Sequence, residues 1–366
     1  MSDLTSVVAD LPAAPPAASV EVAGASAPFR PGPVSRLLAW LAGRPGAGLA
    51  FVLGSFVAFL VWGTAVEWLS GRIPPGTLDP NLVPGLGYAP YSLGALILGR
   101  RIGLRALDDF WPATGWPESA RPEWAYRLAN APARSEWAAL AIGFLGGVAA
   151  LASAPPTVLG PEPGRVFTYI AFIPGYFAGY TISGVAFLWA ARWIYLVAGI
   201  HRGARAIDPF DRTPIYAFSR LTVFLGIAFV FLAYYSFTVN VQNQIGNVPS
   251  LTFIGATIVL GIVTFIAPLW GIHGRLVTEK DRLALDVERR VNRLATEIYG
   301  RIDAGSFEAT TPLNGSLAGL ITLRDRIAHL PTWPWPPNVL RGFLTALLLP
   351  IAVFVAGHVI TTLIGT

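Results

Sequence analysis

Four histidines are the first places to look for chemistry in this 366-residue chain: His201, His273, His329 and His358. His201 and His273 each follow Gly-Ile at the end of an apolar stretch, which places them at one depth and on one side. Asp208, Asp211, Glu279 and Asp281 lie close to them in sequence. Imidazoles near carboxylates are the raw material of a metal or proton-sensing cluster. The plainer reading is a pair of histidines that cap helix ends. His358 stands inside the last apolar stretch. An ionisable group at that depth is a functional candidate, here as a pore or ligand residue. Tyr176, Tyr180, Tyr234 and Tyr235 are further pore or ligand candidates, because aromatic and hydroxyl linings suit a neutral ligand or a hydrophobic gate.

Other chemistry is excluded. The chain has no cysteine, so thiol catalysis, iron–sulfur clusters, cysteine zinc sites and disulfides drop out. Lys280 is its only lysine and sits in no phosphate-binding loop. There is no H-E-x-x-H, no EF-hand loop and no G-x-S-x-G elbow. No catalytic residue, metal or cofactor is expected. The net charge of +5 comes from arginines that crowd the ends of apolar segments. That placement argues for membrane topology and against nucleic acid as a partner.

The elements that must position these residues are apolar helices. The chain is 54% hydrophobic and 13% charged, against roughly 25% charged in soluble domains. A membrane helix needs about 20 mostly apolar residues. Six stretches qualify clearly, near 48–66, 137–154, 166–191, 221–238, 251–272 and 340–364. A seventh, 82–99, is uncharged but holds Pro84 and Pro90; it crosses, or enters and leaves by one face. The arginine-rich connections are 100–135, 192–220 and 275–341, whereas 154–165, 239–249 and the C-terminus are poor in positive charge. Seven spans with the N-terminus in the cytoplasm and the C-terminus outside satisfy every loop. The expected class is therefore all-α, a polytopic bundle in the plasma or inner membrane with the lipid bilayer as its partner.

Within that frame, residues 1–35 read as a disordered Ala/Pro-rich tail and 36–274 as the transmembrane bundle. Arg100–Phe110 reads as a short amphipathic helix on the inner surface, part of an interfacial region over 100–135. Residues 275–338 carry two apolar stripes, Leu283-Val287-Val291-Leu294-Ile298 and Leu317-Leu320-Leu323-Ile327-Leu330. These predict a cytoplasmic helical hairpin, followed by a stiff Trp/Pro link and a final span over 339–366. Trp111, Trp333 and Trp335 are expected as interface anchors. Gly143 with Gly147, and Gly175 with Gly179, are spaced to let helices approach closely.

This order of spans and cytoplasmic helices resembles the layout of insect-chemoreceptor-type ion channels, in topology and without a shared motif. The resemblance implies an oligomeric, ligand-responsive pore lined by the last span near His358, with a second copy of the chain as partner. The alternative is a membrane sensor or assembly protein that signals through the hairpin. A carrier, or a lipid-handling enzyme using His201 and His273, comes third. The sequence identifies no ligand.

Overall fold

The computed structural model describes residues 27–79, 82–152, 165–205, 207–239 and 248–364. Among these residues the regular structure is helical. The helices are α1 (Pro33–Ala42), α2 (Ala47–Leu69), α3 (Leu82–Leu86), α4 (Tyr88–Thr114), α5 (Arg121–Ala129), α6 (Ala133–Ala152), α7 (Arg165–Gly203), α8 (Arg212–Ala217), α9 (Ser219–Val239), α10 (Val248–Asp303), α11 (Thr311–Ala328) and α12 (Pro337–Ile364). Among the described residues five segments are long and apolar enough to cross a membrane: Ala47–Leu69, Ala133–Ala152, Ile170–Gly203, Arg212–Ser236 and Ile254–Asp303. The start of α12 is apolar over Pro337–Leu349. The side chain of His358 and the amide-rich 240–247 link lie outside the described residues. The 82–99 stretch falls on two helices, α3 and the first part of α4.

The chain forms two compact units. The first comprises Met1–Arg105, Pro117–Leu196 and Ala228–Gly261. On α2, Leu49, Leu53, Val57 and Val61 recur every fourth residue and are all exposed, Leu49 by 66%. A leucine and valine stripe open to solvent would be costly in water and is the expected face toward hydrocarbon. The opposite side of α2 is small: a Cβ at Gly63 would collide with Leu82 of α3. Leu82, Leu86, Ala89, Leu93 and Leu96 are all buried, so α3 and the start of α4 run through the core of this unit. α7 approaches on glycine as well. Gly143 of α6 meets the Tyr180 carbonyl, Gly175 meets Leu86, and Gly179 meets Tyr88.

An element the sequence did not announce closes this unit. The tail reading extended to residue 35, yet α1 begins at Pro33, with proline in the first turn. Its N-terminus is capped from a distance by Glu136, which is fully buried. The Glu136 carboxylate accepts from Val34 N at 2.8 Å, Ser35 N at 3.1 Å and Trp189 Nε1 at 3.3 Å. It also accepts from the Ser35 hydroxyl, which in turn accepts from Ala131 N at 2.9 Å. One carboxylate thus satisfies the free amides of a helix start and complements its dipole. Gly32 makes room for it, since a Cβ there would overlap the Glu136 carboxylate.

The second unit comprises Ala106–Trp116, Val197–Ile227 and Ile262–Thr366. Here the reading of Arg100–Phe110 as a separate surface helix is corrected, because these residues belong to the unbroken α4. Ala106, Leu107, Phe110, Trp111 and Ala113 are buried. Trp111 packs edge-on against Trp116 at 5.8 Å. Further along, α10 and α11 pack through Val287, Ile327 and Leu330, with Leu283, Val291 and Leu320 around them.

Glu136→Ala takes the carboxylate away from four buried donors. It is expected to cost about 3 kcal/mol and to lower the melting temperature of the detergent-solubilised protein. Gly32→Ala, which displaces the same carboxylate, should lower it too. A melting curve for Glu136→Ala that overlays wild type would show that the cap carries no stability.

Candidate functional site

The second unit gathers the polar and aromatic residues singled out by sequence along one helix. α10 carries Pro268, His273, Arg275 and Lys280 over about three turns. Pro268 accepts from a side chain of another segment, and the other three each donate to a backbone carbonyl of another segment. His201 near the end of α7 donates from Nδ1 to the Pro268 carbonyl at 3.1 Å. Arg275 donates to the carbonyls of Arg202 at 2.6 Å and Ala204 at 2.7 Å. These carbonyls belong to the end of α7, where the last turn leaves acceptors free and favours a positive charge. Lys280 performs the same office for α11, donating to the carbonyls of Ala328 at 2.6 Å and Leu330 at 3.1 Å. His273 donates from Nδ1 to the Thr332 carbonyl at 2.8 Å.

An aromatic column extends this junction. The His273 ring stacks on Trp333 at 3.8 Å with 11° between planes. Trp333 stacks on Trp335 at 4.6 Å, and Trp335 meets Phe265 at 4.8 Å. Phe265 stacks on Phe343 at 4.2 Å. The column therefore starts on α10, passes through the Trp/Pro link, returns to α10 and ends on α12. Proline at 331, 334, 336 and 337 stiffens the link that presents the two indoles. Trp333 and Trp335 are both only partly exposed. Their rings hold the link to α10.

His201 and His273 belong to this junction, but each is spent on a different carbonyl. His201 is 2% exposed and lies edge-on to Phe110 and Phe218, at 5.0 and 5.3 Å. Among the described residues no group of three or more His, Cys, Asp or Glu side chains could hold a metal ion. The contacts of these histidines are those of residues that tie helix ends.

The tyrosine candidates fall in the first unit. Tyr176 and Tyr180 are neighbours, with ring centres 4.7 Å apart. Tyr176 donates to the Gly147 carbonyl at 3.2 Å. Tyr235 packs edge-on to Tyr88 at 5.0 Å, and Tyr234 is partly exposed. Tyr88 donates to Ser236 at 3.2 Å, Tyr91 donates to the Ala228 carbonyl at 2.6 Å, and Ser92 and Ser183 are 2.9 Å apart. These hydroxyls form a seam of helix-to-helix bonds along α4. Tyr88 and Tyr91 escaped notice in sequence because they lie in the ambiguous 82–99 stretch, where proline and glycine dominated the reading.

Arg275 and Lys280 were also missed as site residues. The signal was available, since Lys280 is the sole lysine, but its partners lie 48 and 50 residues away. The charge pattern by itself marks only a solvated helix face. No protein-family model, curated protein sequence or solved structure matches the chain.

Trp333→Ala removes three ring contacts, with His273, Trp335 and Trp270, each worth about 0.5–1.5 kcal/mol. It should raise amide hydrogen exchange at the start of α12, over Asn338–Arg341. Lys280→Met keeps the aliphatic stem but frees two carbonyls, and should raise exchange at Ala328–Leu330. Unchanged protection in both variants would show that the junction does not fasten these segments.

Proposed function

We propose that this chain is a non-enzymatic, multi-pass membrane protein that senses or assembles through a cytoplasmic helical hairpin formed by α10 and α11. The observation that carries the reading is the unbroken length of α10, from Val248 to Asp303. Its 56 residues extend about 84 Å at 1.5 Å per residue, nearly three times the roughly 30 Å of a bilayer's hydrocarbon core. In our reading the hairpin continues from a span along this one helix. The Arg275, Lys280 and His273 bonds tie the end of α7, α11 and the Trp/Pro link to this rod.

Seven spans, with the N-terminus inside and the C-terminus outside, remain our proposed topology, with 82–99 crossing as α3 and the start of α4. The arginine-rich segments support it. In this topology the hairpin stands in water. Its exposed Leu285, Tyr299, Ile302, Ile321 and Leu323 then ask for a partner surface, and a second copy of the chain is the one we propose. An oligomeric pore lined by α12 near His358 is the second reading. It is favoured by the exposed Leu344, Leu348 and Leu349 on that helix, which can face a neighbouring subunit.

The purified full-length protein in lipid nanodiscs is expected to be oligomeric. The double variant Leu285→Lys, Tyr299→Lys should shift it toward monomer with an unchanged circular dichroism spectrum. A wild type that is monomeric across its concentration range would sink the hairpin reading. Ion flux from reconstituted vesicles above that of protein-free vesicles would replace it with the pore.

A further inference from the structure

Two arginines of the first unit meet where α5 ends. Arg192 of α7 donates from Nε to the Asn130 carbonyl at 3.1 Å and from Nη2 to the Arg127 carbonyl at 3.1 Å. Its guanidinium is thereby fixed, with the Phe29 ring on its face at 5.1 Å. Phe29 is held in turn by Tyr126, which donates to its carbonyl at 2.8 Å. Arg127 lays its guanidinium over the Trp124 ring at 5.6 Å and gives Nη2 to Glu123 at 2.5 Å. The two positive charges are near enough to repel. An anion shared between them would turn that repulsion into attraction.

These contacts leave donors over. Arg127 Nε is buried without an acceptor. Among the described residues, Nη1 of Arg127 and Nη1 of Arg192 have no hydrogen-bond partner either. Neither guanidinium is sealed off, since the Arg127 side chain is 40% exposed and Arg192 is half-buried. Two carboxylates are close, but Glu123 is spent on Arg127 Nη2. Glu136, within range of the Arg192 charge, is spent on the start of α1 and on Trp189. Neither bonds the leftover donors.

Planar guanidiniums with several free N–H groups suit a tetrahedral oxyanion, above all phosphate. Position favours one source of it. Both arginines hold the stretch that leads into α6, an apolar segment over Ala133–Ala152. Trp137, in the second turn of α6, is 60% exposed, and Ile142 and Leu145 beyond it are exposed too. Exposed tryptophan marks the headgroup zone of a bilayer and exposed aliphatic residues mark its hydrocarbon. The two guanidiniums stand beside that boundary, where lipid phosphates lie.

We infer that Arg127 and Arg192 together grip the phosphate of one anionic phospholipid, with Phe29 and Trp124 as walls of the site. The inference takes from the function proposed above only that the chain lies in a bilayer, and neither its topology nor its hairpin.

The test is thermal unfolding of the full chain in a neutral detergent, with phosphatidylglycerol or phosphatidylcholine added to the micelles, or inorganic phosphate to the buffer. Phosphatidylglycerol should raise the melting temperature saturably by a few degrees. Phosphatidylcholine, which has a phosphate but no net charge, should not, and neither should inorganic phosphate. Arg127→Gln keeps the backbone carbonyl that Arg192 uses and should lose most of the shift. Arg134→Gln makes the same charge change at an exposed residue in the first turn of α6 and should keep it. Equal shifts with the two lipids, or a full shift in Arg127→Gln, would overturn the site. An equal loss in Arg134→Gln would do the same, by showing a diffuse basic surface. A shift produced by inorganic phosphate alone would reassign the arginines to a free anion and overturn the lipid. Should Arg127→Gln fail to fold, Arg127→Lys keeps the charge without the fork of donors. Its shift is expected to be at most half that of wild type, and a full one overturns the site. Oligomeric state, which tests the hairpin, does not enter this measurement.

Discussion

A helix end that cannot reach water must find its partners inside the protein, and this constraint shapes both units. Each helix leaves amides free at its start and carbonyls free at its end. In a chain with so few charges, the charges present are used to meet that need. Glu136 takes the amides at the start of α1. Arg275 takes the carbonyls at the end of α7, and Lys280 takes those at the end of α11. In each case the sign of the side chain matches the sign of the helix dipole it meets. None of these three residues is devoted to a salt bridge among the described contacts, and each fastens a helix from a distance in sequence. A chain whose apolar helices dissolve equally well in lipid and in one another gains little from hydrophobic burial, so such polar ties and close packing fix its arrangement.

Close packing is the second determinant. In hydrocarbon, dispersion contacts gain when backbones approach. Glycine permits it at Gly63, Gly143, Gly175 and Gly179, where a methyl group would meet Leu82, the Tyr180 carbonyl, Leu86 and Tyr88. The tyrosine and serine seam along α4 lies in the same layer, so its hydroxyls find carbonyls and other hydroxyls at bonding distance. The aromatic column from His273 to Phe343 does for the second unit what glycine does for the first. Flat faces at 3.8–4.8 Å spacing hold a proline-stiffened link against α10.

Together these ties suggest how a membrane helix can carry information without any catalytic chemistry. In our proposal α10 is the moving part. The basic side chains and the His273 stack fasten to it the end of α7, α11 and the Trp/Pro link.

Much of this protein follows from composition alone. Long uncharged stretches have no stable form in hydrocarbon except helices. The apolar helices near 48–66, 137–154, 166–191, 221–238 and 251–272 are therefore legible from residue type and length. Glycine pairs announced close approach for the same reason, because a missing side chain is visible in any sequence. What the tertiary structure alone decided is which distant polar atoms meet. Glu136 sits at the edge of an apolar stretch and reads as a surface residue until α1, 101 residues away, is placed on it. Lys280 reads as solvated until α11 folds back. The 82–99 stretch is ambiguous by sequence because of its prolines and glycines, and only the tertiary structure shows that Leu82, Leu86, Ala89, Leu93 and Leu96 are buried. Local pattern fixes which segments are helical, since that depends on the residue and its solvent. Partner choice depends on the three-dimensional meeting of groups far apart in the chain, and no local pattern encodes it.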